Sequence, residues 1–135
     1  MTNKVRGSFD VKLTPEGLED KAEGSSLGRI SIAKQFRGDL EATSTGQMLT
    51  GTTDVAGSAG YVAIERVSGM LKGRRGSFLL QHTGTMSKQD GYQLSVTVVP
   101  DSGSGQLAGL RGKLDIQIVD GKHFYEFEYT LPDAP

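Results

Sequence analysis

The sequence contains no cysteine. Disulfides, thiolate nucleophiles, iron–sulfur clusters and cysteine-based zinc sites are therefore excluded. Histidine is nearly missing too, with only His82 and His123, which rules out a three-histidine catalytic metal site. No HExxH or EF-hand pattern occurs, so no metal is expected. Long apolar runs are absent. The longest covers about four residues, Tyr61 to Ile64, against the roughly 20 that a membrane-spanning helix requires. The opening residues, Met-Thr-Asn-Lys-Val-Arg-Gly-Ser, hold no apolar stretch of the kind a secretory leader needs. The expectation is a cytoplasmic protein with no membrane partner. There is no excess of one charge either: 15 basic and 16 acidic side chains leave a net charge of −1. A nucleic-acid partner is not expected, because polyanion binding needs clustered surplus Lys and Arg.

What the chain does have is the size of one domain, 135 residues and 14.4 kDa. At that mass a folded chain exposes about 6,800 Å² of the roughly 20,900 Å² it exposes unfolded, enough burial for one core. A single domain over 1–135 follows. Glycine is abundant, 19 residues against 4 prolines, and it punctuates short runs in which apolar and polar residues alternate. That period belongs to half-buried strands. Val5, Gly7, Phe9, Val11 and Leu13 share one face of the first run. The segment 14–27 has no apolar stripe and contains Gly24-Ser25-Ser26, so it reads as a surface loop. A second run carries Ile30, Ile32, Phe36 and Leu40, with Gly38 as a bend. Further strands are expected over about 41–49, 60–69, 77–85, 92–99, 113–119 and 124–131. Asp120-Gly121 is a strong two-residue hairpin signal between the last two.

Eight strands joined mostly by short turns, without a convincing helix, predict an antiparallel sheet. Closure into a barrel removes the exposed edges and is favoured over a sandwich. A barrel of that size can be filled by its own side chains or can hold one small ligand.

Gly103-Ser104-Gly105-Gln106-Leu107-Ala108 matches the GxGxxG/A dinucleotide fingerprint in letters only. The fingerprint requires a helix N-terminus to follow it, whereas Gly109-Leu110-Arg111-Gly112-Lys113-Leu114 continues toward a strand. No nucleotide cofactor, and no other cofactor, is expected. The stretch 103–112 instead resembles the glycine-rich hairpin of the allene oxide cyclase and dirigent barrels. The strand His123-Phe124-Tyr125-Glu126-Phe127-Glu128-Tyr129-Thr130-Leu131 is similar to the aromatic last strand of the cyclase. Over nearly its whole length the chain is similar to a bacterial family of unknown function assigned to the same barrel class. That likeness is carried by Lys34-Gln35-Phe36-Arg37-Gly38-Asp39-Leu40-Glu41, by residues 57–67, by Gly76-Ser77-Phe78 with Leu80-Gln81-His82, and by Val98-Val99-Pro100-Asp101-Ser102-Gly103. The resemblance implies an all-β, single eight-stranded antiparallel barrel of the allene oxide cyclase-like type. It also implies self-association, as is common in such barrels. The plant cyclase uses a polar pocket that includes a cysteine, so no catalytic residue carries over and an enzymatic role is not the leading expectation.

Placing Gly73-Arg74 at the centre of the turn between the fourth and fifth strands sets Glu65 opposite His82. Residues directly opposite on antiparallel strands are about 5 Å apart. A carboxylate beside an imidazole is an acid–base pair in waiting. A one-residue slip would put Ile64 or Arg66 there instead, and a solvated pair on the outer wall is favoured over a functional one. Lys34 interrupts the apolar face of the second strand. It either reaches a ligand carboxylate or runs its stem to the barrel mouth. Tyr61 and Tyr125 are amphipathic rings suited to a pocket wall or to packing. The candidate ligand-binding set is thus Tyr61, Glu65, His82, Tyr125 and Lys34, around a small apolar ligand in the lumen. A cofactor-free isomerase or cyclase acting on an oxidised lipid-like substrate, and a structural oligomer with a filled barrel, are the alternatives.

Overall fold

A computed structural model describes residues 2–132, so the single domain expected over 1–135 is covered except for its extreme ends. Eight antiparallel strands follow one another around a closed barrel, each hydrogen-bonded to the next and the last to the first. They are β1 (Asn3–Ala22), β2 (Ser25–Gly38), β3 (Leu40–Thr53), β4 (Ala59–Leu71), β5 (Arg74–Ser87), β6 (Gly91–Val98), β7 (Arg111–Val119) and β8 (Lys122–Thr130). The sandwich alternative is thereby excluded. Among the described residues the only helix is a three-residue 3-10 turn, Gly105–Leu107, and no helix is long and apolar enough to cross a membrane.

The alternation in the sequence is the alternation of the wall. On β4, Ala63, Glu65 and Val67 are buried while Val62, Ile64 and Arg66 face outward. On β8, Tyr125, Phe127 and Tyr129 point inward. Asp120 and Gly121 form the predicted hairpin with positive φ at both residues, +52° and +77°, the geometry that matches the twist of the flanking strands.

One segment departs from expectation. Residues 14–27 are not a loop: β1 continues to Ala22, turns through Glu23-Gly24, and pairs back with β2 as far as Ala22↔Ser25. A register irregularity between Pro15 and Glu19 accommodates the proline, which has no N–H for the ladder. The misreading has a physical cause. The described side chains over 12–17 and 20–25 are exposed on both faces of this hairpin, and alternation appears only where one face is buried.

The two ends of the barrel differ. One is packed solid by Phe36, Leu40, Leu71, Phe78, Phe127 and Tyr129, and it is stoppered by the connection between β6 and β7. Leu107 and Leu110 of that connection are 1% and 0% exposed. Ser104 fixes the stopper to β5, its N–H donating to the Ser77 carbonyl at 2.8 Å. The glycine-rich stretch that mimics a nucleotide fingerprint is therefore a plug. Gly103 is required there, since a Cβ would collide with the Leu107 carbonyl. The opposite end, beyond mid-height, is hollow.

Candidate functional site

Three ionisable side chains meet at the floor of the hollow half. Lys34 comes from β2, Glu65 from β4 and His82 from β5. Glu65 is fully buried, and its Oε1 accepts hydrogen bonds from Lys34 Nζ at 2.9 Å and His82 Nε2 at 2.7 Å. Ser44 of β3 donates to Oε2 at 2.6 Å. Burial pushes the Glu65 carboxyl up, but the His82 hydrogen bond, the Lys34 and His82 charges and the Ser44 hydroxyl outweigh it. The net result is a carboxyl held down at about 2. Lys34 is stabilised a second way, with Nζ 5.0 Å from the Phe9 ring centroid and 5.7 Å from that of Phe36. An ammonium over an aromatic face is attracted by the ring quadrupole.

The local sequence explains why the carboxylate fits. Glu65 lies directly across from Gly46 on β3, where a Cβ would sit 2.6 Å from the Glu65 Cβ. The inward face of β3 is accordingly small from Ala42 through Ser44 to Gly46, which leaves the space a charged cluster needs. Tyr61 lies across from Gly84 in the same way, and its ring occupies the volume a side chain there would take.

The turn between β4 and β5 differs from expectation. Lys72 and Gly73 are its central residues, with φ of +46° and +82°, and Leu71 pairs with Arg74. Glu65 therefore pairs with Leu80, and His82 pairs with Ala63. The slip is two residues, and a slip of two keeps every side chain on its face. Glu65 and His82 are inside, as diagonal neighbours in contact, which overturns the outer-wall expectation for the pair.

Once Nε2 is committed to a carboxylate that only accepts, it carries the ring proton. In the neutral imidazole Nδ1 is then the basic nitrogen. Nδ1 has no partner among the described residues, and no fully buried side-chain nitrogen there lacks one. It therefore has access to the lumen that His82 lines.

Above this floor is a cavity of about 350 Å³. Its walls are mainly apolar: Phe9, Val11, Ile32, Met48, Leu94 and Ile116 surround it, with Tyr61, Tyr92 and His123 adding polar edges. Burial, and then the Tyr92 hydroxyl beside it, push the Tyr61 phenol up, so it stays a neutral donor. The wall beside the cavity has a thinly paired seam. β6 and β7 share a single ladder pair, Thr97↔Lys113, and Leu94 and Ile116, on opposite sides of that seam, both line the cavity. A larger and more open depression of about 820 Å³ lies at the rim and outer wall of β2–β6. Tyr61 is its only titratable lining residue, so the chemistry belongs to the smaller, deeper space.

Of the five candidate residues the structure brings four together, Lys34, Tyr61, Glu65 and His82. Tyr125 does not join them. It faces inward in the packed half, where its hydroxyl accepts from the Leu40 N–H at 2.9 Å and donates to the Arg37 carbonyl at 3.0 Å. It latches the β2–β3 turn. Ser44 and the wall residues Met48, Ile116 and His123 were not anticipated. The run of small inward residues on β3 was the available signal for Ser44. No group of three His, Asp or Glu residues among those described is placed to hold a metal ion.

Residues 5–129 match the model of a protein family of unknown function, DUF3224, and the chain belongs to that family. The barrel is similar to the crystal structure of a protein of unknown function from the DUF3224 family of Shewanella oneidensis MR-1. The identity is 51% over 98% of this chain and 100% of that one, with a TM-score of 0.92. No curated protein matches the chain.

Proposed function

We propose that this DUF3224 protein is a small-molecule-binding barrel of the allene oxide cyclase-like type, holding one mainly apolar ligand in the open half of its lumen. The observation that carries the reading is the asymmetry of the interior. One half is packed by large side chains and a dedicated plug, while the other is a cavity of about 350 Å³ with apolar walls and a polar floor. That volume lies within the range of about 300–1,000 Å³ usual for ligand sites, where apolar walls supply affinity and a few polar groups fix orientation. Lys34 and His82 are those groups: a ligand oxygen would sit against the Lys34 ammonium, and His82 presents its Nδ1 lone pair beside it. A barrel filled throughout, with a purely structural role, is disfavoured by the same cavity.

The test is saturation-transfer NMR with 2-decanone on the wild-type protein and on Ile116→Trp, whose indole would intrude into the lumen. Transfer to the wild type, and clearly weaker transfer to the folded variant, is expected. Equal transfer to both, or to neither, contradicts the reading.

Self-association is a separate proposal, supported by the outer face of β2–β4. There Leu27, Leu49, Val62 and Ile64 are each about half exposed, at 53%, 50%, 50% and 46%, and Leu49 pairs directly with Val62. Sedimentation of the wild type against Val62→Glu tests it: an oligomer that the variant dissociates is expected, and a wild-type monomer contradicts it.

A further inference from the structure

We infer that the lumen performs acid–base chemistry on its ligand: His82 Nδ1 removes a proton from the carbon between a carbonyl and a carbon–carbon double bond, and Lys34 holds the carbonyl oxygen. The substrate class is a β,γ-unsaturated ketone or related carbonyl compound, and the reaction is its isomerisation to the conjugated form. This rests on the lumen-binding reading above and adds a reaction to it.

The argument starts from what is spent and what is left over. Glu65 is buried, and three hydrogen bonds from Lys34, His82 and Ser44 occupy most of its roughly four acceptor sites. It does not line the cavity, whereas Lys34 and His82 both do. Its role is to position: it fixes the imidazole tautomer with the basic nitrogen toward the ligand and stabilises the imidazolium that forms when that nitrogen takes a proton. Lys34 Nζ has three N–H bonds, and one is given to Glu65. A second, pointed at a ligand oxygen, meets negative charge as it develops, which is where a preorganised donor contributes most. The other titratable groups around His82 are Tyr61 on β4, Tyr92 on β6 and His123 on β8. Tyr61 lies nearest, its ring centroid 6.3 Å from that of His82.

The step balances without any co-reactant. The C–H bond breaks and its proton goes to His82 Nδ1. The electron pair forms a new double bond to the carbonyl carbon, and the carbonyl oxygen becomes an enolate oxygen beside Lys34. Electrons then return from the enolate through the dienolate to the far alkene carbon, which takes the proton back from Nδ1. The conjugated enone leaves and the imidazole is restored. An apolar wall suits such a substrate, and exclusion of water strengthens the ammonium–enolate attraction.

The experiment uses the full-length protein and 4-decen-2-one, with ultraviolet absorbance following formation of the conjugated isomer and saturation-transfer NMR reporting binding in the same sample. The wild type is expected to bind the ketone and to exceed the buffer rate by at least about 100-fold, the low end for a positioned general base. His82→Ala is expected to fall to the buffer rate while still binding. His82→Phe, which refills the volume, serves if the alanine variant does not fold. Binding without isomerisation by the wild type overturns the acid–base inference and leaves the lumen reading standing. Isomerisation undiminished in either His82 variant overturns the assignment of the base. No binding of the ketone to the wild type overturns both readings.

Discussion

Glu65 and His82 are two residues out of cross-strand register, yet their side chains meet at 2.7 Å inside the barrel. A diagonal pair of this kind depends on a long side chain leaning along its strand. It also depends on a space beside it, which Gly46 leaves open. The consequence is a buried carboxylate that holds two nitrogens on one oxygen, and the energetics of the floor follow from it.

Removing the carboxylate alone is expected to be strongly destabilising. Glu65→Ala leaves Lys34 buried without its counter-charge, and breaking a buried ion pair from one side costs about 3–5 kcal/mol. Replacing both partners, with Lys34→Met and Glu65→Ala together, is expected to recover a substantial part of that loss. Urea unfolding of the two single variants and the double variant measures the coupling, and strict additivity would contradict the pairing.

The same carboxylate gives stability a direction with pH. Its folded-state value of about 2 is below the ordinary 4.5, so the unfolded chain binds this proton more readily. The stabilisation is fully present above about 4.5 and is lost as pH falls toward 2. Urea midpoints over that interval are expected to fall for the wild type and to fall less steeply for Glu65→Gln. Parallel curves would show that Glu65 does not carry the effect.

The tautomer of His82 is directly observable. In 15N-edited NMR of the neutral imidazole, Nε2 is expected to give the protonated, pyrrole-type shift and Nδ1 the pyridine-type shift. Glu65→Gln is expected to relax this preference. The reverse assignment in the wild type would remove Nδ1 as the lumen-facing base.

Gly84 provides a way to disturb the wall without touching the floor. A methyl group there would overlap the Tyr61 ring, so Gly84→Ala is expected to displace that ring. The cost should be about 1–3 kcal/mol, as for other overpacked sites, with weaker binding of 2-decanone. Unchanged binding in this variant would show that Tyr61 does not shape the ligand space.

The seam between β6 and β7 is expected to be the least protected part of the wall. β4 has ladder partners along both edges, whereas β6 meets β7 at one pair. Amide hydrogen exchange follows such differences in local pairing. Amides over 91–96 that face β7 are expected to exchange well ahead of those in the middle of β4. Equal protection would contradict a thinly paired seam.

The sequence made the barrel legible because every strand has one face against a shared interior, and alternation records that face. It failed over 14–27 for the complementary reason: Thr14, Glu16 and Lys21 stand in a hairpin wet on both sides, where nothing enforces a period. Parity put Glu65 and His82 on one face of the wall, and that survived the misplaced turn because a shift of two conserves parity. It did not say which face is inside. Val62 and Ile64 make the other face of β4 as apolar as Ala63 and Val67 make this one, which is why the outer wall was the expectation for the pair and burial corrects it. Gly73 can serve as either central residue of a two-residue turn, so the letters alone left the register open. Height along the barrel is what parity does not record. Tyr61 and Tyr125 look alike in a strand pattern, yet one lines the hollow half and the other latches the packed half. Ser44 gave no sign of its own, since a serine facing inward and a serine facing water are written the same way.

The most direct test of the central claim is methyl NMR of the protein titrated with 2-decanone. Met48, Ile32 and Ile116 report the hollow lumen, while Ile64, on the outer face of the same wall, reports the surface. Saturable shifts at the three lumen methyl groups, with Ile64 unmoved, are the predicted result. Shifts confined to Ile64 and its outer neighbours, or none at saturating ketone, would contradict a ligand-binding lumen.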